Sequence, residues 1–168
     1  MTKNRQSIRL KKYDYSQSGL YFVTICTQNR ECIFGNIINN NVGVGRDRPI
    51  SMILNQYGKI IENVWESLPD HHSIELDVFQ IMPNHVHFIL HIVLGASRRA
   101  PTTLGFIVGM FKTECTKQIN KLRNTPGQKI FQRNYYEHII QNENELIKIR
   151  QYIKTNPLFW NQDINYRK

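Results

Sequence analysis

The residues best suited to chemistry stand in the run Met82-Pro83-Asn84-His85-Val86-His87-Phe88-Ile89-Leu90-His91. Its histidines alternate with apolar residues, the period of a β-strand, in which residues two apart share a face. His85, His87 and His91 therefore fall on one face, and Val86, Phe88 and Leu90 on the other. Two imidazoles side by side on a rigid strand are able to hold a divalent metal. Such a pair is more often simply solvated or hydrogen-bonded, and a catalytic metal needs at least one more protein ligand and an open position. Tyr152 and Asn156 offer a candidate. Spaced i, i+4, they lie one turn apart on one face of a helix. An asparagine oxygen ligates Mg or Mn, which prefer oxygen and accept imidazole, and a tyrosine one turn away would stand beside the ion. The plainer reading is a helix C-terminus, with Asn156 as stop residue and Tyr152 as a packing aromatic. Spacing alone leaves both open.

These side chains need a strand and a helix to carry them. Leu20 to Thr27 is rich in β-branched and aromatic residues and predicts a buried strand. Asn36 to Pro49 reads as a loop; its Gly43-Val44-Gly45 lacks the Gly-Lys-Ser/Thr of a phosphate cradle. Ser51 to Leu68 has helical spacing, closed by Pro69. Ile74 to Ile81 alternates, Pro83-Asn84 interrupts, and His85 to Val93 follows as a second strand, a hairpin signature. Gly95 to Thr103 is a basic loop, and Leu104 to Leu122 a second helix, broken by Asn124-Thr125-Pro126-Gly127. Ile130-Phe131 and Tyr135 to Ile140 read as extended, and Asn142 to Thr155 as a third helix with Leu146, Ile149 and Ile153 on one face. The tail from Leu158 to Lys168 is expected to pack against the sheet, the alternative being that it covers the site. The order is strand, helix, two strands, helix, strand, helix. It predicts an α+β fold: a ferredoxin-like or RRM-like antiparallel sheet with packed helices, its C-terminal helix carrying Tyr152.

At 168 residues the chain reads as a single domain over residues 1–168, with 40% apolar and 21% charged residues. Its 22 Lys+Arg against 13 Asp+Glu, a net charge of +9, favour a polyanionic partner. Nucleic acid is preferred over membrane, since no apolar run approaches the roughly 20 residues of a spanning helix. The N-terminus also lacks the apolar stretch of a signal peptide. Cys26, Cys32 and Cys115, odd in number and without CxxC spacing, predict a cytoplasmic chain whose thiols act as small buried hydrophobes.

Several segments together carry a resemblance. They are Tyr13-Asp14-Tyr15 with Gly19 to Thr27, the Met82 to His87 run, Gln132-Arg133-Asn134-Tyr135-Tyr136-Glu137-His138, and Arg150-Gln151-Tyr152-Ile153-Lys154-Thr155-Asn156-Pro157. In these the chain resembles, almost end to end, the REP-associated tyrosine transposases. These are single-tyrosine HUH transposases related to insertion-sequence 200 elements. The resemblance implies that His85, His87 and Asn156 hold a divalent metal, Mg or Mn, and that Tyr152 is the nucleophile. It implies nicking and rejoining of single-stranded DNA beside hairpins through a 5′-phosphotyrosine, by a nucleoid-associated protein that acts as a monomer or homodimer. Related transposases carry Gln where Asn156 stands, so the shorter amide demands a helix closer to the sheet. Arg5, Arg9, Lys11, Lys12, Arg98, Arg99, Lys112 and Lys117 are the expected phosphate contacts. The competing reading is a basic module that binds hairpin or single-stranded nucleic acid without cutting it. Tyr136, with His138, is the second-ranked nucleophile. His91 is expected outside the metal's ligands, and His71-His72 in a surface turn.

Overall fold

A computed structural model describes residues 18–38, 50–70, 72–93 and 103–167. Arg5, Arg9, Lys11, Lys12, His71, Arg98 and Arg99 lie outside them. In chain order the elements are β1 (Gly19–Cys26), β2 (Gly35–Ile38), β3 (Ser51–Leu54), α1 (Gln56–Glu66), β4 (Ile74–Met82), β5 (His85–Ile92), α2 (Leu104–Arg123), β6 (Tyr136–Ile140) and α3 (Glu143–Thr155). The main sheet has the order β4-β5-β1-β6, antiparallel at every step. With α1 between β1 and β4 in the chain, and α2 between β5 and β6, this is the expected ferredoxin-like α+β plan.

The stretch from Ser51 to Leu68 is not one helix. Ser51 to Leu54 pairs with Gly35 to Ile38 as a separate two-stranded ribbon. Ile53 and Leu54 suit either period, and the chain is cut by Asn55. Its side chain accepts from the Tyr57 and Gly58 amides at 2.9 and 3.1 Å, while its own amide group donates to Ile33 O at 2.8 Å. An N-cap of this kind satisfies amides that the first helical turn leaves unpaired. Gly35 and Gly58 seat the ribbon. Gly35 has φ +143°, and a Cβ on Gly58 would meet Phe34 O at 2.3 Å.

Alternation along β1 and β5 gives the sheet two different faces. Tyr21, Val23 and Ile25 join Val86, Phe88 and Leu90 under α1 and α2, and Trp65 and Phe111 close on Phe88. Each such side chain contributes roughly 1.5–3 kcal/mol of burial energy. The opposite face carries the histidines and a smaller apolar cluster, in which Phe22, Ile89 and Ile140 meet Leu146 and Ile153 of α3. A bulge between Leu76 and Phe79 adds one residue to β4. Val78 there packs against the α3 cluster, and Asp77 takes Arg150 of α3 at 2.6 to 3.1 Å. The small cluster and this two-pronged ion pair together dock the helix that carries Tyr152.

Candidate active site

His85 and His87 lead β5 where it leaves the β4–β5 turn, and both are fully buried or nearly so. Asn84 in that turn orients the first. Its amide group donates to Arg30 O at 3.0 Å and Asn165 O at 2.8 Å, which aims its oxygen at His85 Nδ1, 2.8 Å away. An amide oxygen only accepts, so the network assigns the proton to Nδ1 and the lone pair to Nε2. His87 Nδ1 lies 2.8 Å from Thr24 Oγ1 on the neighbouring strand, and the two Nε2 atoms face each other at 2.9 Å. As they stand, His87 Nε2 donates to His85 Nε2. Rotating the Thr24 hydroxyl allows His87 to carry its proton on Nδ1 instead, which turns both Nε2 lone pairs toward one point. Burial lowers both imidazoles to about 3, Arg30 adding to the effect at His85 and the neighbouring His85 at His87. They are neutral, the form in which histidine ligates a metal.

Tyr152 and Asn156 reach the same place from α3. The Tyr152 ring lies 5.4 Å from the His87 ring and meets Phe22 edge-on at 6.1 Å. It is 45% exposed. Partial burial, then the charge of Asp163, push its hydroxyl above the usual tyrosine range, against a hydrogen bond from Asn156 that lowers it. Asn156 is buried at the end of α3, and its Nδ2 donates to Asp163 Oδ2 at 3.0 Å. Its Oδ1 is buried without a hydrogen-bond partner, which costs free energy unless something else is held there.

Asp163 was not anticipated. It follows the short 3-10 segment Asn156–Gln162, with side-chain exposure of 3% and Oδ2 at 3.9 Å from His85 Nε2. One atom each of His85, His87 and Asp163 fall within 4.8 Å of one another. Two imidazole lone pairs, a carboxylate and an orphaned amide oxygen are a donor set that fits a divalent cation, mixed nitrogen and oxygen as Mn or Mg accepts. Asn84, Thr24, Arg30 and Asn165 also escaped sequence reasoning. Asn84 alone had a local signal, as the polar residue placed directly before the paired histidines. The tail packs against the sheet as expected and in doing so covers the histidines: the Trp160 ring lies 5.9 Å from that of His85, and Asn165 meets Cys26 of β1 and Asn84.

The remaining candidates are placed differently. His91 shares the face but sits at the far end, between Glu75 at 3.0 Å and Ser18 at 3.3 Å. Tyr136 lines the site's cleft and meets Phe22 edge-on, whereas His138 is taken by Glu145 at 2.6 Å. Lys112 is half-buried and donates to the Gln132 and Arg133 carbonyls, so its ammonium pins that segment while its side chain lines the cleft along α2. Lys117 is exposed on α2, beside Glu114 at 3.9 Å. Of the cysteines, Cys115 is a core residue as expected, but Cys32 is exposed and Cys26 partly so.

Of two clefts among the described residues, the first opens on the site. One of about 560 Å³ runs between Thr24, Arg30, His87, Tyr136 and Tyr152. The other, about 900 Å³, is lined by Lys117, Lys121, Lys129 and Arg133 along α2 and the segment before β6. Gln132 borders both. No helix among the described residues is long and apolar enough to cross a membrane.

Comparison with known proteins follows the same lines. An uncharacterized protein of Haemophilus influenzae is 39% identical over 97% of this chain and 93% of its own length. A protein of the same organism, provisionally named a REP-associated tyrosine transposase, is 24% identical over 86% of this chain and 73% of its own. Among solved structures, a REP-associated tyrosine transposase bound to a REP hairpin superposes with a TM-score of 0.56 at 17% identity, covering 94% of this chain and 73% of that one. A provisionally named transposase from Deinococcus radiodurans gives 0.50 at 15% identity, over 92% and 97% of the two chains. These two similarities concern the fold. The sequence profile of the family described as "Transposase IS200 like" matches residues 16–156, and the chain belongs to that family.

Proposed function

We propose that this chain is a metal-dependent transesterase that nicks and rejoins single-stranded DNA beside hairpins, with Tyr152 as nucleophile. The observation that carries the reading is the convergence of His85 Nε2 and His87 Nε2 at 2.9 Å, with the Tyr152 ring against His87 at the edge of an open cleft. His85 and His87, with the orphaned Asn156 oxygen, would hold the cation. When bound, it supplies positive charge that stabilises the charge developing on the scissile phosphate. Tyr152 Oη attacks phosphorus as the bond to the 3′ oxygen breaks. The phenolic proton is given up and the departing 3′ oxygen takes one, so the products are a 5′-phosphotyrosine and a free 3′-OH. Attack by that hydroxyl, or one from another strand, reverses the step, because the link to Tyr152 conserves the bond energy. Thr24 and Asn84 hold the two imidazoles in the orientation this requires.

The basic cleft supports a docking direction. A hairpin stem lying against Lys117, Lys121, Lys129 and Arg133 would send its flanking strand past Gln132 to Tyr152. The hairpin itself is an inference from the similar transposase, whose structure holds a REP hairpin.

The decisive experiment uses labelled hairpin-flanked single strands from the protein's own genome, with Mg or Mn. A denaturation-resistant protein–DNA adduct is expected, lost in Tyr152→Phe and in His87→Ala. An adduct that survives Tyr152→Phe would falsify the assignment of the nucleophile. Binding without any adduct on any strand would instead favour the non-catalytic module. In either case, replacing the four cleft cations by Ala should weaken binding and flatten its salt dependence, by about one unit of slope for each phosphate that is no longer neutralised.

A further inference from the structure

We propose that Asp163 is itself a ligand of the divalent cation, the anionic member of the set, and that it holds Asn156 in place beside it. This rests on the reading of His85 and His87 as a metal centre. It adds to that reading a residue from the tail, beyond the helix that carries the nucleophile.

Three observations converge on Asp163. The first is its charge. At 3% side-chain exposure it forms no ion pair with Lys or Arg among the described residues, and the basic group facing it is His85 at 3.9 Å. The hydrogen-bond network leaves a lone pair, not a proton, on the His85 nitrogen that faces it. A carboxylate buried against a lone pair is costly, and a cation between them removes the cost.

The second is direction. Asp163 Oδ1 accepts from the Asn165 amide at 2.6 Å, and Oδ2 accepts from Asn156 Nδ2 at 3.0 Å. Both donors anchor the carboxyl group, and Oδ2 is left 3.9 Å from His85 Nε2. The Asn156 amide cannot be turned over without setting its oxygen against the carboxylate. Asp163 thereby fixes which Asn156 atom is left unpartnered.

The third is construction. Asn165 gives its backbone N–H to Asp163 and takes the Asn84 amide on its carbonyl at 2.8 Å, while Asn84 orients His85. Two buried asparagines, bonded to each other, therefore position the first histidine and the tail carboxylate together. Such coupling through shared partners is how ligand geometry is held. A residue whose only task was to steady Asn156 would not need to be registered to His85.

The test is titration of the full chain with MnCl2 alone, read by calorimetry and by thermal melting, with no DNA present. Asp163→Asn keeps the size and an acceptor for Asn165 but removes the charge. It is expected to weaken Mn binding by more than the about 100-fold that loss of an outer partner costs at most, while its melting temperature without metal stays level or rises because an uncompensated buried charge is gone. A variant that binds Mn as tightly as the unaltered chain would overturn the proposal, and a loss no larger than that of Thr24→Val would reduce Asp163 to a positioning residue and overturn it too. Failure of the unaltered chain to bind Mn would instead remove the metal centre itself. Should Asp163→Asn not fold, crystals of the unaltered chain grown with Mn decide the matter. An anomalous peak bonded to the Asp163 carboxylate supports the proposal, and a peak on the histidines with no contact to it overturns it.

Discussion

The two faces of one sheet, drawn from the same strands, do opposite things with burial. Under α1 and α2, Phe88, Trp65 and Phe111 pack ring against ring in the main apolar core. Over α3, the neighbouring positions are His85, His87 and Thr24, equally buried and joined by hydrogen bonds, with a much smaller apolar cluster beside them. One face carries stability. The other spends part of it to hold imidazoles out of water and a helix end above them. The difference teaches that alternation along β5 separates structure from chemistry residue by residue: each inward side chain on one face fixes the height of its neighbour on the other.

The comparison breaks most sharply with pH. His85 and His87 titrate near 6.5 when unfolded but at about 3 in the fold. Above 6.5 both states are neutral and nothing is lost. Between 6.5 and 3 the unfolded chain binds protons that the folded one refuses, so stability falls with pH through that window. The slope approaches roughly 1.4 kcal/mol per pH unit for each imidazole. Denaturant melts in metal-free buffer should show this loss, and His85→Gln with His87→Gln should flatten it. An unchanged slope in that double variant would move the acid sensitivity away from this face.

Phe88→Ala, one residue from His87 but on the other face, should cost about 3–5 kcal/mol of global stability. The folded fraction should still bind Mn with its original affinity. Thr24→Val is the converse. It removes the bond to His87 Nδ1 and should cost about 1 kcal/mol, yet weaken Mn binding about 10- to 100-fold. If Phe88→Ala damages Mn affinity as much as Thr24→Val does, the two faces are not separable in the way described.

Much of this was legible beforehand because periodicity is a local signal. The strand bearing the histidines, the helix bearing Tyr152 and Asn156, and the sheet plan all follow from spacing. The β2–β3 ribbon was missed because Ile53 and Leu54 fit a helical stripe as well as a short strand, although Asn55 marks the break. Asp163 left no comparable trace. It follows a 3-10 segment without an apolar period, and its meaning arises only where the tail crosses the sheet. Lys112 shows the opposite limit: its place on a helix gives no sign of the carbonyl partners that hold its ammonium at the wall of the basic cleft.

The smallest expected effect belongs to His91, and it is the one that tests alternation alone. His91 occupies the same strand and the same face as His87. By period it is an equal, but its surroundings differ: its side chain is 34% exposed, Glu75 takes Nδ1, and the ring is remote from Tyr152 and Asp163. An exposed pair of this kind contributes little, since solvent screens it and both side chains lose freedom in forming it. His91→Ala should change stability by no more than about 0.5 kcal/mol and leave Mn affinity and adduct formation unaltered. A loss of Mn affinity matching that of His87→Ala would mean that the strand's period defines the site. The absence of such a loss locates the site in the partners that only two of the three histidines possess.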